Sequence, residues 1–216
     1  MRRYTHMLVL FVIALSLLPT LSFDAECKKS IGAKTVVPPC PVWVIGSYDS
    51  TGTPNMMTAS WVGICCSDPP SVTISLRRTR HSYGNIIASG AYTVNIPSEA
   101  YAKETAFFGS VSGRDVDKLL ATGLTAVKSD LVNAPYLAEF PLVVECRLVE
   151  TVDVGSHTML IGEIVDVKAD EDILEPGETP DPMKLKGFLF FPGNRNFFST
   201  GDPIGSITDL QKKIPR

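Results

Sequence analysis

The sequence predicts a mainly β fold, an antiparallel barrel or sandwich with helices inserted between its strands. Three observations predict it. Apolar runs of strand length recur along the chain, at residues 42–48, 55–64, 72–76, 91–96, 142–152, 157–169 and 188–191. Several are separated by turn chemistry, at Asp49-Ser50-Thr51-Gly52, Ser67-Asp68-Pro69-Pro70 and Gly155-Ser156. Helical patterns are few and short, and they do not alternate with strands as a doubly wound parallel sheet requires.

Taken in order, residues 28–41 are proline-rich with little periodicity, and 42–48 form the first strand. The Asp49–Gly52 turn leads into a strand over 55–64, and the Ser67–Pro70 turn leads into 72–76. Residues 81–89 read as a short helix closed by Gly90, followed by a strand over 91–96. Ser98, after Pro97, is placed to cap a helix over 98–108. Ser112 and Asp115 have capping-box spacing, so another helix is expected over 115–121, ending at Gly123. Residues 142–152 and 157–169 pair as long antiparallel strands, with Glu145, Arg147 and Glu150 marking polar positions on the first. An acidic surface loop (170–182), a last strand (188–191), a Gly/Asn/Phe-rich tail (192–201) and a C-terminal segment (202–216) complete the chain.

At 216 residues and 44% hydrophobic, the chain can bury one substantial core. Its net charge of −3 and pI near 5.6 exclude a strongly basic, nucleic-acid-binding surface. Arg2-Arg3, the apolar run 7–18 and the small residues Thr20 and Ser22 give residues 1–22 a signal-peptide pattern. The run is shorter than the roughly 20 apolar residues of a membrane span. Three readings stay open: a cleaved export signal with a periplasmic destination, an uncleaved anchor, or an over-extended start ahead of a cytoplasmic protein. Five cysteines show no C-x-x-C spacing. If the chain is exported, Cys27 with Cys40 is the pair to consider; Cys65, Cys66 and Cys146 are expected as small core residues. Vicinal Cys65-Cys66 makes a poor bridge. The sequence offers no metal cluster, no Ser-His-Asp order and no G-x-G-x-x-G fingerprint, so no catalytic side chain and no metal ligand is assigned.

The stretch 55–95 carries the functional signal. Thr58, Ser60, Ser75 and Asn95 stand in strand-like segments where a plain core strand favours Val, Ile or Phe. They read either as solvent-facing positions of half-buried strands or, together, as a polar rim around a ligand. Arg77, Arg78 and Arg80, just ahead of a helix start, are candidate phosphate ligands. His81 and His157 are secondary candidates, and Phe197 with Phe198 is either a lid or an anchor for the tail.

Several pieces occur together in a fixed order. They are Pro41-Val42-Trp43-Val44, Asn55 through Trp61 with Gly63-Ile64-Cys65-Cys66, Ser75-Leu76-Arg77, Tyr83-Gly84-Asn85-Ile86, Tyr92-Thr93-Val94-Asn95-Ile96-Pro97, and Phe108-Gly109 through Ser112-Gly113-Arg114-Asp115-Val116-Asp117-Lys118. In this the chain resembles the flavin reductase-like, FMN-binding split-barrel family, in its flavoredoxin branch. The resemblance implies a six-stranded antiparallel Greek-key split barrel over 28–201, assembled as a homodimer with one FMN per subunit. It implies that Asn55, Met57, Thr58, Ala59, Ser60 and Trp61 lie along the isoalloxazine ring and ribityl chain. Ser75, Leu76 and Arg77, with Ser82, Tyr83 and Asn85, would reach the ribityl hydroxyls and phosphate; Asn95, Ser112 and Lys118 complete the candidate set. The activity implied is flavin reduction with NAD(P)H as donor, or electron transfer with a redox protein partner. Flavin binding without enzymatic activity is the remaining reading.

Overall fold

The computed structural model describes residues 28–212, so the leader pattern over 1–22 and Cys27 lie outside the described residues. Two compact units divide the chain, Met1–Lys34 and Thr35–Arg216, and residues 28–34 of the first are irregular and exposed. The second unit opens with strands Cys40–Pro41 (β1), Trp43–Tyr48 (β2), Pro54–Ala59 (β3), Val62–Ser67 (β4) and Pro70–Leu76 (β5). Helix His81–Ser89 (α1), strand Ala91–Ile96 (β6), a 3-10 turn at Glu99–Tyr101, and helices Ala102–Ser110 (α2) and Lys118–Thr122 (α3) follow. Then come Ala126–Lys128 (β7), Pro135–Leu137 (β8), Leu142–Val154 (β9), His157–Ala169 (β10), Leu174–Glu175 (β11) and Thr179–Pro180 (β12). Helix Pro182–Leu185 (α4), strands Phe188–Phe191 (β13) and Asn196–Ser199 (β14), and helix Ile207–Gln211 (α5) end the described chain.

The main sheet runs β3-β2-β6-β9-β10-β5-β4, with every neighbouring pair antiparallel. Its two outermost strands, β3 and β4, are separated in sequence only by Ser60 and Trp61. The Ser75 amide donates to the Trp61 carbonyl at 2.8 Å, carrying the β5 ladder up to that bend. One stretch of chain therefore pairs with β2 through its first half and with β5 through its second. Counted as one bent strand, it makes the six-stranded split barrel expected; the bend raises the strand count of the sheet to seven. The single strand expected over 55–64 is accordingly two.

Period-2 alternation fills both faces. Ile45, Met57, Ile74, Tyr92, Val94, Cys146 and Leu160 pack inside the barrel. Val44 and Met56, one residue out of phase, pack outside it with Phe108 of α2, Leu137 and Phe140. Strands covered on both faces read as unbroken apolar runs, which is how β2 and β3 read. The β7–β8 hairpin covers the outer face of β6. Asn95 Nδ2 donates to the Val44 carbonyl at 3.0 Å and to Thr93 Oγ1 at 2.9 Å, while its Oδ1 accepts from the Leu137 amide at 2.9 Å. The hairpin lies that close because residue 46 is glycine: a Cβ there would collide with the Pro135 carbonyl and the Thr93 hydroxyl.

Several local expectations change. The helix expected over 98–108 divides into the 3-10 turn and α2, and the Ser98 side chain caps neither. The helix expected from 115 starts at Lys118, because Asp117 is the cap: its carboxylate accepts from the Leu120 amide at 3.0 Å. Ser112 Oγ instead accepts from the Arg114 amide at 3.2 Å, within the turn before that helix. Glu145 is fully buried and bonds to Lys168 at 2.8 Å. Cys65 and Cys66 are exposed on β4, not core residues, whereas Cys40 and Cys146 are buried free thiols. The tail 192–201 is ordered in part, with β14 pairing on β13. Among the described residues no helix is long and apolar enough to cross a membrane.

Candidate functional site

Two cavities meet along β3. The first, of about 280 Å³, is walled by Asn55, Met57, Thr58, the start of α1, the end of α2 and the 111–115 turn with Lys118. The second, of about 230 Å³, is walled by residues 57–61, Ser75, Leu76, Arg77, Arg80, His157 and Phe190. Met57, Thr58 and Arg80 belong to both, so the two form one elongated cleft with chemically different ends.

The first end is cationic. Helix α1 starts after Arg80, whose backbone is extended and whose side chain makes no cap bond. Uncapped amides and the helix dipole there favour an anion. Arg80, His81, Ser82, Arg114 and Lys118 surround this helix start, with Asp115 as the carboxylate in the wall. Arg114 Nη1 donates to the Thr79 carbonyl at 3.0 Å, tying the 111–115 turn to the loop ahead of α1. Lys118, only 4% exposed, donates from Nζ to the carbonyls of Met56 at 2.8 Å and Phe108 at 3.0 Å. Burial, and after it the charge of Arg80, pushes its pKa down to about 8. His81 is lowered as well, by burial and then by Arg114 and Lys118, with Asp49 opposing. A bound anion would favour the protonated form of both groups.

Asn55 joins the cationic end to the middle. Its Nδ2 donates to Ser82 Oγ at 2.9 Å, while its buried Oδ1 has no protein partner. Since a Ser hydroxyl can accept and donate at once, Ser82 keeps its own proton for a ligand oxygen. Gly113 faces the same amide, and a Cβ at that position would collide with Asn55 Oδ1. Thr58, midway, donates its hydroxyl proton to the Thr105 carbonyl, so its oxygen is left to accept.

The second end is apolar and aromatic. Met57, Ala59, Trp61, Leu76 and Phe190 supply flat or slender walls, with Ser60, Ser75, Arg77 and His157 between them. Trp61 is 38% exposed, so this end is reachable from solvent. Ser156 Oγ and His157 Nδ1 lie 2.9 Å apart, and burial followed by Arg77 and Arg80 lowers the pKa of this histidine. Among the described residues no three His, Cys, Asp or Glu side chains group as metal ligands.

The structure brings most of the sequence candidates together. Asn55, Ser82, Ser112 and Lys118 line the cationic end, Met57 and Thr58 the middle, and Ala59, Ser60, Trp61, Ser75, Leu76 and Arg77 the aromatic end. Tyr83, Asn85 and Asn95 line neither. Tyr83 packs against the barrel-interior cluster, Asn85 Nδ2 donates to the buried Ser47 hydroxyl at 3.3 Å, and Asn95 holds the β7–β8 hairpin. Arg78 turns away to Asp153 and to Thr158 Oγ1 at 3.2 Å, which leaves Arg77 and Arg80 on the cleft. Phe197 and Phe198 pack at a tilt against Phe188 and Phe191, with centroids 5.0 and 4.5 Å apart, so they anchor the tail. Thr79, Val111 and Phe190 are cleft residues that the sequence reading did not single out. Phe190 belongs to a short strand paired with β1, and no local pattern announces that position.

On this split barrel one cleft is cationic at one end and apolar and aromatic at the other, a polarity suited to a ligand with an anionic end and a planar end. The chain belongs to the flavin reductase like domain family, whose model matches residues 38–194. Among solved structures it is similar to flavoredoxin of Desulfovibrio vulgaris (Miyazaki F), with TM-score 0.81 and 40% identity, covering 85% of this chain and 99% of that one. It is also similar to flavoredoxin from Methanosarcina acetivorans, with TM-score 0.78 and 28% identity, covering 86% and 98%. An uncharacterized protein of Archaeoglobus fulgidus is 32% identical over 114 residues, which are 53% of this chain and 64% of that relative. For a relative from Aeropyrum pernix the covered share is 62%, so the chain spans under two thirds of the length of these two curated relatives.

Proposed function

We propose that the chain binds FMN in this cleft and works as an oxidoreductase that passes electrons through it. The observation that carries the proposal is the single cleft with a cationic helix start at one end and aromatic walls at the other. The residues present fit the group: the buried, unpartnered Asn55 Oδ1, which the glycine at 113 leaves room for beside the cleft, matches a polyhydroxylated chain that needs an acceptor. Arg80, Ser82, Arg114, Lys118 and the amides of α1 would hold the phosphate. Thr58, Ser60 and Ser75 would pair the polar edge of the ring, and Trp61, Leu76 and Phe190 would enclose its apolar part. Bound FMN supplies the redox chemistry, while the protein supplies orientation and electrostatics. Trp61 and Phe190 shield the ring end in part and leave it reachable by a donor.

The likeness to two flavoredoxins favours a redox protein as the electron source, and the solvent-reachable ring end admits NAD(P)H as well. A homodimer belongs to the same proposal. It is supported by exposed Val149, Val152 and Val154 along the distal half of β9, a surface open to a second copy. The test is a visible absorption spectrum of the purified protein after adding FMN, then after NADH under argon. A flavin spectrum that persists with NADH and bleaches with a ferredoxin-like donor is the expected result. Bleaching by NADH alone moves the assignment to a flavin reductase, and failure to retain FMN overturns both. Light scattering reports the oligomeric state.

A further inference from the structure

Strand β4 is an outermost strand of the main sheet, and its residues Ile64, Cys65, Cys66 and Ser67 are all exposed. Its pairing with β5 is broken at one place. Ile64 lies opposite Val72 and Cys66 lies opposite Ser71, so Cys65 is an extra residue, a β-bulge. Residues directly opposite each other share a sheet face, and consecutive residues lie on opposite faces. Ile64 therefore shares the face of Val72, and Cys66 the face of Ser71. Cys65, one residue after Ile64, also falls on the Ser71 face. In a regular strand two adjacent cysteines would straddle the sheet; the bulge puts both thiols on one exposed side.

Both are free thiols, and Cys66 Sγ donates to the Asp68 carbonyl at 3.3 Å. A bond between them is disfavoured: consecutive Cα atoms across a trans peptide are about 3.8 Å apart, below the roughly 4.4–6.8 Å of ordinary disulfides. An atom larger than sulfur, bridging the two without a direct S–S bond, relieves that constraint. Among the described residues no third His, Cys, Asp or Glu joins them, so a four-ligand zinc site is not formed here. Soft thiol pairs favour soft, low-coordinate partners.

We propose that Cys65 and Cys66 form a bidentate dithiol site for trivalent arsenicals. An organic arsenoxide condenses with the pair to a cyclic dithioarsinite: two As–S bonds form, and the oxygen leaves as water with the two thiol protons. Arsenic stays trivalent and no electrons move. The thiol of Cys65, raised by burial and then by Cys66, is protonated near neutral pH, the form this condensation uses. Ser71 stands four residues along β5 from Ser75, about 13 Å, so the site lies on the sheet face of the cleft but outside it. The proposal is independent of the flavin reading.

The test uses the full chain, reduced and desalted, with phenylarsine oxide. Intact mass is expected to show one phenylarsenic adduct per chain with two thiols lost. The adduct resists millimolar 2-mercaptoethanol and is released by 2,3-dimercaptopropanol. C65S and C66S, each at an exposed position, are each expected to lose about 100-fold or more in affinity, because a single thiol forfeits the effective concentration of its neighbour. Wild-type affinity in either variant, release by the monothiol, or an adduct mapped to another cysteine would overturn the proposal.

Discussion

Replacing Lys118 with methionine removes a buried ammonium at the cationic end while keeping an unbranched apolar stem. Two opposed quantities set the result. The Met56 and Phe108 carbonyls, now bonded to Nζ at 2.8 and 3.0 Å, lose their donor. Each charged hydrogen bond is worth about 1.5–3 kcal/mol. Against that, burial lowers Lys118 from 10.5 to about 8. That difference is a cost of about 3 kcal/mol carried by the charged form. The net loss at pH 7 is then about 0–3 kcal/mol.

The pH dependence separates the two quantities. Because the folded pKa lies below the unfolded value, the unfolded chain binds more protons between the two, and stability rises with pH across that window. The wild-type protein without ligand should gain about 3 kcal/mol from this group between pH 8 and 10.5. That contribution is fully present above 10.5 and is lost as pH falls through about 8. Lys118→Met should lack it. Urea unfolding of both proteins from pH 7.5 to 10.5 gives the comparison. A stability difference that stays constant across the range would refute the buried, depressed lysine. With FMN present, the phosphate should raise the folded lysine pKa, which narrows the window from below and shrinks the gain, and the variant should bind FMN about 10- to 100-fold more weakly.

Gly113→Ala should reduce FMN affinity at least about tenfold, because a Cβ displaces the Asn55 amide from the cleft; unchanged affinity by fluorescence quenching would remove this turn from the site. Arg77→Ala, at an exposed cleft position, should weaken FMN binding while leaving the urea midpoint in place, and equal affinity would take Arg77 out of the site. Asn95→Ala should cost about 2–5 kcal/mol, since the Val44 carbonyl and the Leu137 amide lose buried partners. Its melting temperature should fall by roughly 10 °C with FMN affinity unchanged, and an equal loss of affinity would return Asn95 to the site.

The barrel was legible because its strands announce themselves twice, by apolar alternation and by the turns between them. The run from His157 to Ala169 begins and ends in the structure where the sequence placed it, as does the helix closed by Gly90. Legibility failed where a distant element changed what a local pattern meant. Asn95 and Glu145 are polar residues in strands, and single-strand logic puts them at a rim or in solvent. Asn95 is buried because the β7–β8 hairpin crosses the outer face of β6, and Glu145 is buried beside Lys168 of the neighbouring strand. The helix cap failed differently. Ser112 and Asp117 both offer acceptors ahead of Lys118, and spacing alone could not show that the turn before α3 uses up Ser112. Of the three arginines ahead of α1, only the fold reveals that Arg78 is committed to Asp153.

The bend at Ser60-Trp61 links the fold to its ligand most directly. Strand β3 pairs with β2 alone, so along its other side its backbone N–H and C=O groups carry no ladder. An open strand edge is ordinarily a liability, since it invites pairing with another chain. Here the residues around that edge, Met57, Thr58, Ala59 and Ser60, line the cleft, and β5 with Ser75 and Leu76 stands across from them. A heterocycle whose rim alternates donors and acceptors can pair with such an edge as a neighbouring strand would, without needing any one side chain. Under the proposed function, the side-chain hydroxyls and the aromatic walls would select which heterocycle enters, and the helix start with Arg80, Ser82 and Lys118, which lines the other end, would select for its anionic tail. The Met56 carbonyl, bonded to Lys118, marks the side of β3 that faces away from β2, and Thr58 shares it by alternation. On this reasoning, single side-chain changes at the aromatic end alter flavin binding less than loss of that edge amide does, with Thr58→Pro against Thr58→Val the decisive comparison.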